Sequence, residues 1–195
     1  MRQHCSDCGY PLKTCLCQHI ISLNNQTEII ILQHPREASH AKNTVRLLAG
    51  SLAKIEICVG KSAIDFSSLR EYLRSQPLNT VVIYPSPSSE DITQVALHKP
   101  KVERAIFIDG SWKQAYGIWQ NNQWLNHFPF YKLALTNAGQ YDIRKSKLDI
   151  SLSTLEAVAY SLNTFEQLDP QPLLNLLNIF TQRWLGFVQR NQDGK

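Results

Sequence analysis

The chain has 195 residues and a mass of 22.3 kDa, room for one main hydrophobic core and a small appendage but not for two large independent domains. Hydrophobic residues make up 43% and charged residues 18% of it, which excludes a mainly disordered chain. Twenty Lys and Arg against 16 Asp and Glu leave a net charge of +4, which permits a polyanionic partner without demonstrating one.

Cys5, Cys8, Cys15 and Cys17 crowd into the first seventeen residues. A C-x-x-C knuckle supplies two thiolates from one tight turn, and zinc asks for four soft ligands in a tetrahedron. Gly9 follows the first pair, and Pro11 redirects the chain toward the tighter C-x-C of Cys15 and Cys17. Residues 1–24 are therefore expected to form a zinc-binding segment with these four cysteines as ligands. Two disulfides are the competing arrangement, and the lack of a secretory signal speaks against an oxidising compartment. His4 and His19 flank the cluster as substitute ligands. Cys58, alone inside the apolar run 55–59, is expected to be a small buried hydrophobe.

Residues 25–195 are expected to form one α/β domain. Short runs rich in Ile and Val at 27–33, 79–84 and 104–108 are the kind that parallel strands buried on both faces require, and 55–59 and 131–135 look like two more. Between them, 39–52, 67–75 and 112–120 have helical spacing, so the pattern predicts a mainly parallel sheet flanked by helices. Ser153-Thr154-Leu155-Glu156 is a capping box that opens a helix. After Pro170 and Pro172, a last helix carries Leu173, Leu176, Leu177, Phe180, Trp184, Phe187 and Val188 on one stripe, expected to pack in a core or dimer contact. No apolar run approaches the roughly 20 residues of a membrane-spanning helix, and the N-terminus leads into no apolar signal region. A cytoplasmic protein without a membrane partner is expected.

In α/β proteins the ligand sits outside the carboxyl ends of the strands. The residues found there are His34-Pro35-Arg36-Glu37, Pro85-Ser86-Pro87-Ser88-Ser89, Asp109-Gly110-Ser111-Trp112 and Thr136-Asn137-Ala138-Gly139. No G-x-G-x-x-G, P-loop, G-x-S-x-G or H-E-x-x-H occurs, so nicotinamide, nucleoside-triphosphate and common hydrolase chemistry lose their usual signatures. Asp109 ends a strand and precedes a glycine, a position that suits either a catalytic carboxylate or a cap for the helix entered at Ser111. Trp112 either stacks on a base or packs in the core. His34 and Glu37 are acid/base candidates or helix caps. Lys132, Arg144, Lys145 and Lys147 face only Asp142 between 132 and 147, and Tyr141 beside them adds an aromatic face, the makings of a nucleotide contact or of a solvated loop.

Taken in order, Cys5-x-x-Cys8 with Cys15-Leu16-Cys17, His34-Pro35-Arg36-Glu37 with Asn43-Thr44, Tyr84-Pro85, Asp109-Gly110-Ser111-Trp112, Tyr141-Asp142-Ile143-Arg144-Lys145 and Ser153-Thr154-Leu155-Glu156-Ala157 resemble the DTW-domain family. The name-giving D-x-T-W stands here as D-G-S-W, with Ser111 keeping the hydroxyl and losing the methyl. The resemblance implies a tRNA-uridine aminocarboxypropyltransferase that moves the 3-amino-3-carboxypropyl group of S-adenosylmethionine to N3 of a uridine in the tRNA variable loop, releasing 5′-methylthioadenosine. It further implies kinship with SPOUT proteins, which allows a C-terminal trefoil knot. Within it Asp109 would be the catalytic base. Tyr84, Pro85, Ile108, Gly110, Ser111, Trp112, Leu135, Ser153, Thr154 and Leu155 would hold the donor, and Lys132, Tyr141, Arg144, Lys145 and Lys147 would meet tRNA. An S-adenosylmethionine-dependent RNA methyltransferase and a non-catalytic zinc-ribbon RNA-binding protein are the alternatives.

Overall fold

The computed structural model describes residues 3–40, 42–94, 101–133 and 152–192, with side chains as far as Trp184. Its strands are β1 Glu28–Gln33, β2 Ile55–Val59, β3 Thr80–Ile83, β4 Glu90–Asp91, β5 Arg104–Asp109 and β6 Phe130–Lys132. Its α-helices are α1 Pro35–Ala38, α2 Val45–Ser51, α3 Ser67–Ser75, α4 Trp112–Gln120, α5 Thr154–Glu166 and α6 Gln171–Gln192. The strands form one sheet in the order β2-β1-β5-β3-β6-β4, with every pair parallel. The expected α/β architecture is thus present. The trefoil knot turns on the path of residues 134–151, which lie outside the described residues.

Alternation along the strands sorts the core into two layers. Ile29, Ile31, Val81, Ile83, Ala105 and Phe107 pack on one face with Leu47 and Leu48 of α2, Leu155, Val158 and Leu162 of α5 and Leu173, Leu176 and Phe180 of α6. Ile30, Leu32, Val82 and Ile106 pack on the other with Phe66, Leu69 and Leu73 from the α3 region and Ala115 and Ile118 of α4. Burying each such side chain stabilises the fold by roughly 1.5–3 kcal/mol, which is why β1, β5 and β3 read as unbroken apolar runs. The last helix uses Leu173, Leu176, Leu177 and Phe180 for the core, as its stripe predicts; Phe187 and Val188 lie beyond the described side chains.

Of the helix expected over 39–52 only Val45–Ser51, α2, is helical; α1 ends at Ala38, before that span begins, and residues 42–44 just ahead of α2 are not helical. Asn43 Oδ1 accepts the Val45 N–H at 2.9 Å, a side-chain bond that favours a turn and helix entry over a helix interior. The two-residue strand β4 carries no apolar run, so nothing in its composition announced it; it pairs with β6 through Glu90 and Asp91.

Helix α5 is pinned to the sheet at both ends. At its C-terminal end the Glu166 carboxylate accepts from the backbone N–H groups of Gln26 and Thr27, at 2.9 and 2.8 Å, just before β1. At its N-terminal end Ser153 is the N-cap: its N–H donates to Glu156 Oε2 at 2.7 Å while its Oγ accepts the Glu156 N–H. The sequence-level capping box is therefore present, and it delivers Thr154, the first helical residue, to the carboxyl edge of the sheet.

Candidate active site and metal centre

Gln33 and Asp109 are register partners at the carboxyl ends of the adjacent strands β1 and β5. Continuing the alternation of Ala105 and Phe107, Asp109 points to the face that α5 covers. Thr154 Oγ1 donates to its Oδ1 at 2.5 Å and Gln33 Nε2 donates to its Oδ2 at 2.9 Å. The carboxylate thus joins β5, β1 and the first turn of α5, where the helix dipole favours negative charge. It does not cap α4. That helix starts on its own capping box, in which the Ser111 N–H donates to Gln114 Oε1 at 2.7 Å. Of the two roles that position allowed Asp109, capping of α4 is removed.

Gly110 has a local reason to be glycine. A Cβ there would lie 2.9 Å from Gln114 Cβ and 3.3 Å from the Ala115 nitrogen, so the absence of a side chain lets α4 turn back against the strand end. Trp112, next in the chain, is 59% exposed, and Tyr116 one turn on is 55% exposed. The core alternative for Trp112 is overturned: Ala115 and Ile118 take the buried side of α4, and the indole is left on the open side, close in sequence to Asp109. Ser111 is exposed and Ile108 half-buried beside it.

Tyr84 is buried, with its ring 5.6 Å from that of Trp119, and burial pushes its phenol above the ordinary range. Pro85 is exposed. The Ser-rich turn after Tyr84 is self-satisfied: Ser89 Oγ donates to the Tyr84 carbonyl at 2.6 Å and accepts from the Ser86 N–H at 2.8 Å. Leu155 is fully buried in the core, while Ser153 and Thr154 are partly accessible. Lys132 is exposed at the end of β6. Leu135, Tyr141, Arg144, Lys145 and Lys147 lie outside the described residues. The structure therefore brings Asp109 and Thr154 into contact and sets Gly110, Ser111 and Trp112 beside them, while the Tyr84 ring and Leu155 serve the core.

His34 is a cap: its Nδ1 accepts the Arg36 N–H at 3.2 Å at the start of α1. Burial first, then the Lys61 and Arg36 charges, lower its pKa, so the ring is neutral near pH 7. Sequence reasoning missed Gln33 altogether. Its one signal was a polar residue in the last inward-facing position of an apolar strand, where it is 3% exposed. A cavity of about 690 Å³ lies at the opposite, amino-terminal edge of the sheet, lined by Glu28, Glu56 and Glu103 among others. It is remote from Asp109 and on the edge where parallel sheets do not place ligands.

The four N-terminal cysteines converge. Their Sγ atoms all lie within 4.8 Å of one another, with Cys5 to Cys17 at 3.4 Å and Cys8 to Cys15 at 3.8 Å. A tetrahedron of sulfurs about 2.3 Å from a zinc ion has edges of about 3.8 Å, so the cage fits zinc; a disulfide needs about 2.05 Å, and all four are free thiols. Backbone N–H groups of Cys8 and Asp7 lower Cys5 to about 7, which makes it the first thiolate of the set, whereas hydrogen bonding to Cys5 and its other neighbours raises Cys17 to about 12. His4 and His19 are not members of the group. His19 Nε2 instead meets the Arg183 guanidinium at 2.7 Å. Cys58 is half-buried rather than buried, and burial raises its thiol to about 12. The segment shares the main core through Cys8, Tyr10 and Leu16.

Comparison with known proteins adds the chemistry. The DTW domain family model matches residues 2–185. The chain is 33% identical over 172 residues to tRNA-uridine aminocarboxypropyltransferase 2 of Macaca fascicularis and 31% identical over 172 residues to the Mus musculus protein of that name. Each match covers 85% of this chain and 57% of the relative, so the chain spans a little over half the length of these two relatives. It is 31% identical over 131 residues to tRNA-uridine aminocarboxypropyltransferase A of Arabidopsis thaliana, across 58% of this chain and 49% of that one. No solved structure matches it.

Proposed function

The chain belongs to the DTW domain family, and from that membership we propose that it is a tRNA-uridine aminocarboxypropyltransferase with S-adenosylmethionine as donor and uridine N3 as acceptor. The observation that carries this is the likeness to curated transferases of that name over 85% of the chain. The strand-end geometry supports it by offering one partly accessible carboxylate, an exposed indole and an exposed hydroxyl at a single edge.

Uridine N3 carries a proton and is a poor nucleophile near neutral pH. In the proposed reaction the N3 lone pair attacks the methylene of the aminocarboxypropyl arm as the bond from that carbon to sulfur breaks. The sulfur keeps the bonding electrons and leaves as 5′-methylthioadenosine, and the N3 proton passes to the Asp109 carboxylate. Transfer of the arm rather than the methyl requires that methylene, and not the methyl, to lie in line with N3, so orientation selects the product. Trp112 offers a face for adenine or the target base, and Ser111 with the strand-end backbone offers donors for the charged amino acid end. Zinc at the four cysteines would cross-link the N-terminal segment and takes no part in transfer.

Incubating the purified protein with S-adenosylmethionine and tRNA tests this directly. Release of 5′-methylthioadenosine, with a uridine gaining the aminocarboxypropyl group by nucleoside mass spectrometry, is expected. S-adenosylhomocysteine as the product would mean methyl transfer, and no binding of the donor would leave an RNA-binding protein.

Contact with tRNA is proposed to run through Lys132, Arg144, Lys145 and Lys147, with Tyr141 stacking, in a compartment of the cytoplasmic type. Affinity should then fall steeply with salt, and Lys132→Ala should lower the log–log slope by roughly 0.7–0.9, the value of one lost phosphate contact. Filter binding across a salt series reads this; unchanged slope and affinity remove Lys132 from the interface.

A further inference from the structure

Behind Asp109 lies a run of buried side-chain amides whose hydrogen-bond directions cannot be reversed. The Val45 backbone N–H can only donate, and it donates to Asn43 Oδ1 at 2.9 Å. That atom is therefore the amide oxygen, and the group Gln33 turns toward it, at 3.3 Å, must be its NH2. The same Nε2 reaches Asp109 Oδ2 at 2.9 Å, so both Gln33 protons are committed and Oδ2 is held as an acceptor. Gln33 is 3% and Asn43 7% exposed. Flipping the Gln33 amide would set its one oxygen, Oε1, against both Asn43 Oδ1 and Asp109 Oδ2, two acceptors, at a site where both amides are buried.

Asn43 is itself braced from behind. Its carbonyl accepts the Tyr10 hydroxyl at 2.5 Å, and the Arg46 guanidinium spans the Ala38 and Gly9 carbonyls at 3.0 and 3.3 Å. The cysteine segment thus abuts the turn that aims Gln33.

We propose that Gln33 and Asn43 are positioning residues for Asp109: Asn43 sets the orientation of the Gln33 amide, and Gln33 holds Oδ2 as an acceptor, so that an incoming proton lands on Oδ1. The inference rests on Asp109 acting as the base of the transfer. Oδ1 is the oxygen on which Thr154 Oγ1 sits, and a hydroxyl both donates and accepts, so rotation of that hydroxyl accommodates the proton without moving the carboxylate. No other described side chain donates to Oδ2, so removing Gln33 frees the carboxylate to rotate and to take the proton on the oxygen facing away from Thr154.

The test compares Gln33→Met, Asn43→Leu, Asn43→Asp and Asp109→Asn for kcat, for KM of donor and tRNA, and for melting temperature. Met keeps the length of Gln33 without its protons, and Asp at 43 keeps the acceptor oxygen that Leu lacks. Gln33→Met and Asn43→Leu are expected to lower kcat about 10–100-fold, the scale of a misplaced reacting group, with both KM values within about threefold of wild type. Asn43→Asp should recover most of the turnover lost in Asn43→Leu. Wild-type kcat in Gln33→Met while Asp109→Asn is crippled overturns the inference and leaves the function standing. Equal losses in Asn43→Leu and Asn43→Asp, tracking melting temperature, make the amides merely structural and also overturn it. If Gln33→Met does not fold, the Asn43 pair decides by the same criterion. Wild-type transfer by Asp109→Asn overturns the base assignment and this inference together.

Discussion

Asp109→Asn should lower single-turnover transfer by about 10²–10⁴-fold, the usual contribution of a positioned general base, while donor affinity stays near that of the wild type. The substitution keeps an acceptor oxygen for Thr154 and leaves α4 untouched, since that helix is started by Ser111 and Gln114. What it removes is basicity. It also turns an NH2 toward Gln33 Nε2, where the native pair is donor to acceptor at 2.9 Å. Two facing donors should lower stability by about 1–3 kcal/mol, so transfer is read at a temperature well below the melting transition of the variant. Near-wild-type transfer would sink the base assignment. Loss of S-adenosylmethionine binding in a folded variant would instead place Asp109 against the donor's ammonium group.

Metal analysis of the reduced protein should find one zinc per chain, and Cys8→Ser should destabilise the protein by more than about 4 kcal/mol, the range associated with loss of a structural metal. For a domain of this size that is a fall in melting temperature of about 8–16 °C. The N-terminal segment buries few apolar side chains of its own, so a bound metal would supply much of its internal cross-linking. Among its described residues only Cys8, Tyr10 and Leu16 are buried hydrophobics, and its regular structure is limited to two 3₁₀ turns, Leu12–Thr14 and Cys17–His19, and isolated bridges at His4–Pro11 and Leu23–Leu52. Cys5→Ser or Cys17→Ser should therefore open residues 3–23 to protease before donor binding is lost. Turnover should follow, because Tyr10 and Arg46 hold the turn bearing Asn43. Zinc-free wild-type protein with native protease resistance would end the metal assignment.

The building blocks were legible in the order of residues. β2, α3 and α4 have the bounds their patterns predict, β1 and β5 differ from theirs by one residue at one end and β3 by one residue at each end, because strands buried on both faces must be continuously apolar and amphipathic helices must repeat at 3.6 residues. The Ser153 capping box was legible because it is local, closing within four residues. The cysteine cluster was legible for the same reason, its ligands all lying within one short segment.

Tertiary structure alone decided what those blocks do together. The order β2-β1-β5-β3-β6-β4 follows from how faces pack, which no single strand encodes. It sets Gln33 beside Asp109, 76 positions away in the chain, and α5 then brings Thr154 from 45 positions away. Until those neighbours were known, Asp109 fitted a cap as well as a base, and nothing singled out Gln33 from the strand that ends on it. A hydrogen bond is decided by geometry within about 3 Å, and only the packing of sheet against helix supplies geometry that fine between residues so far apart in sequence.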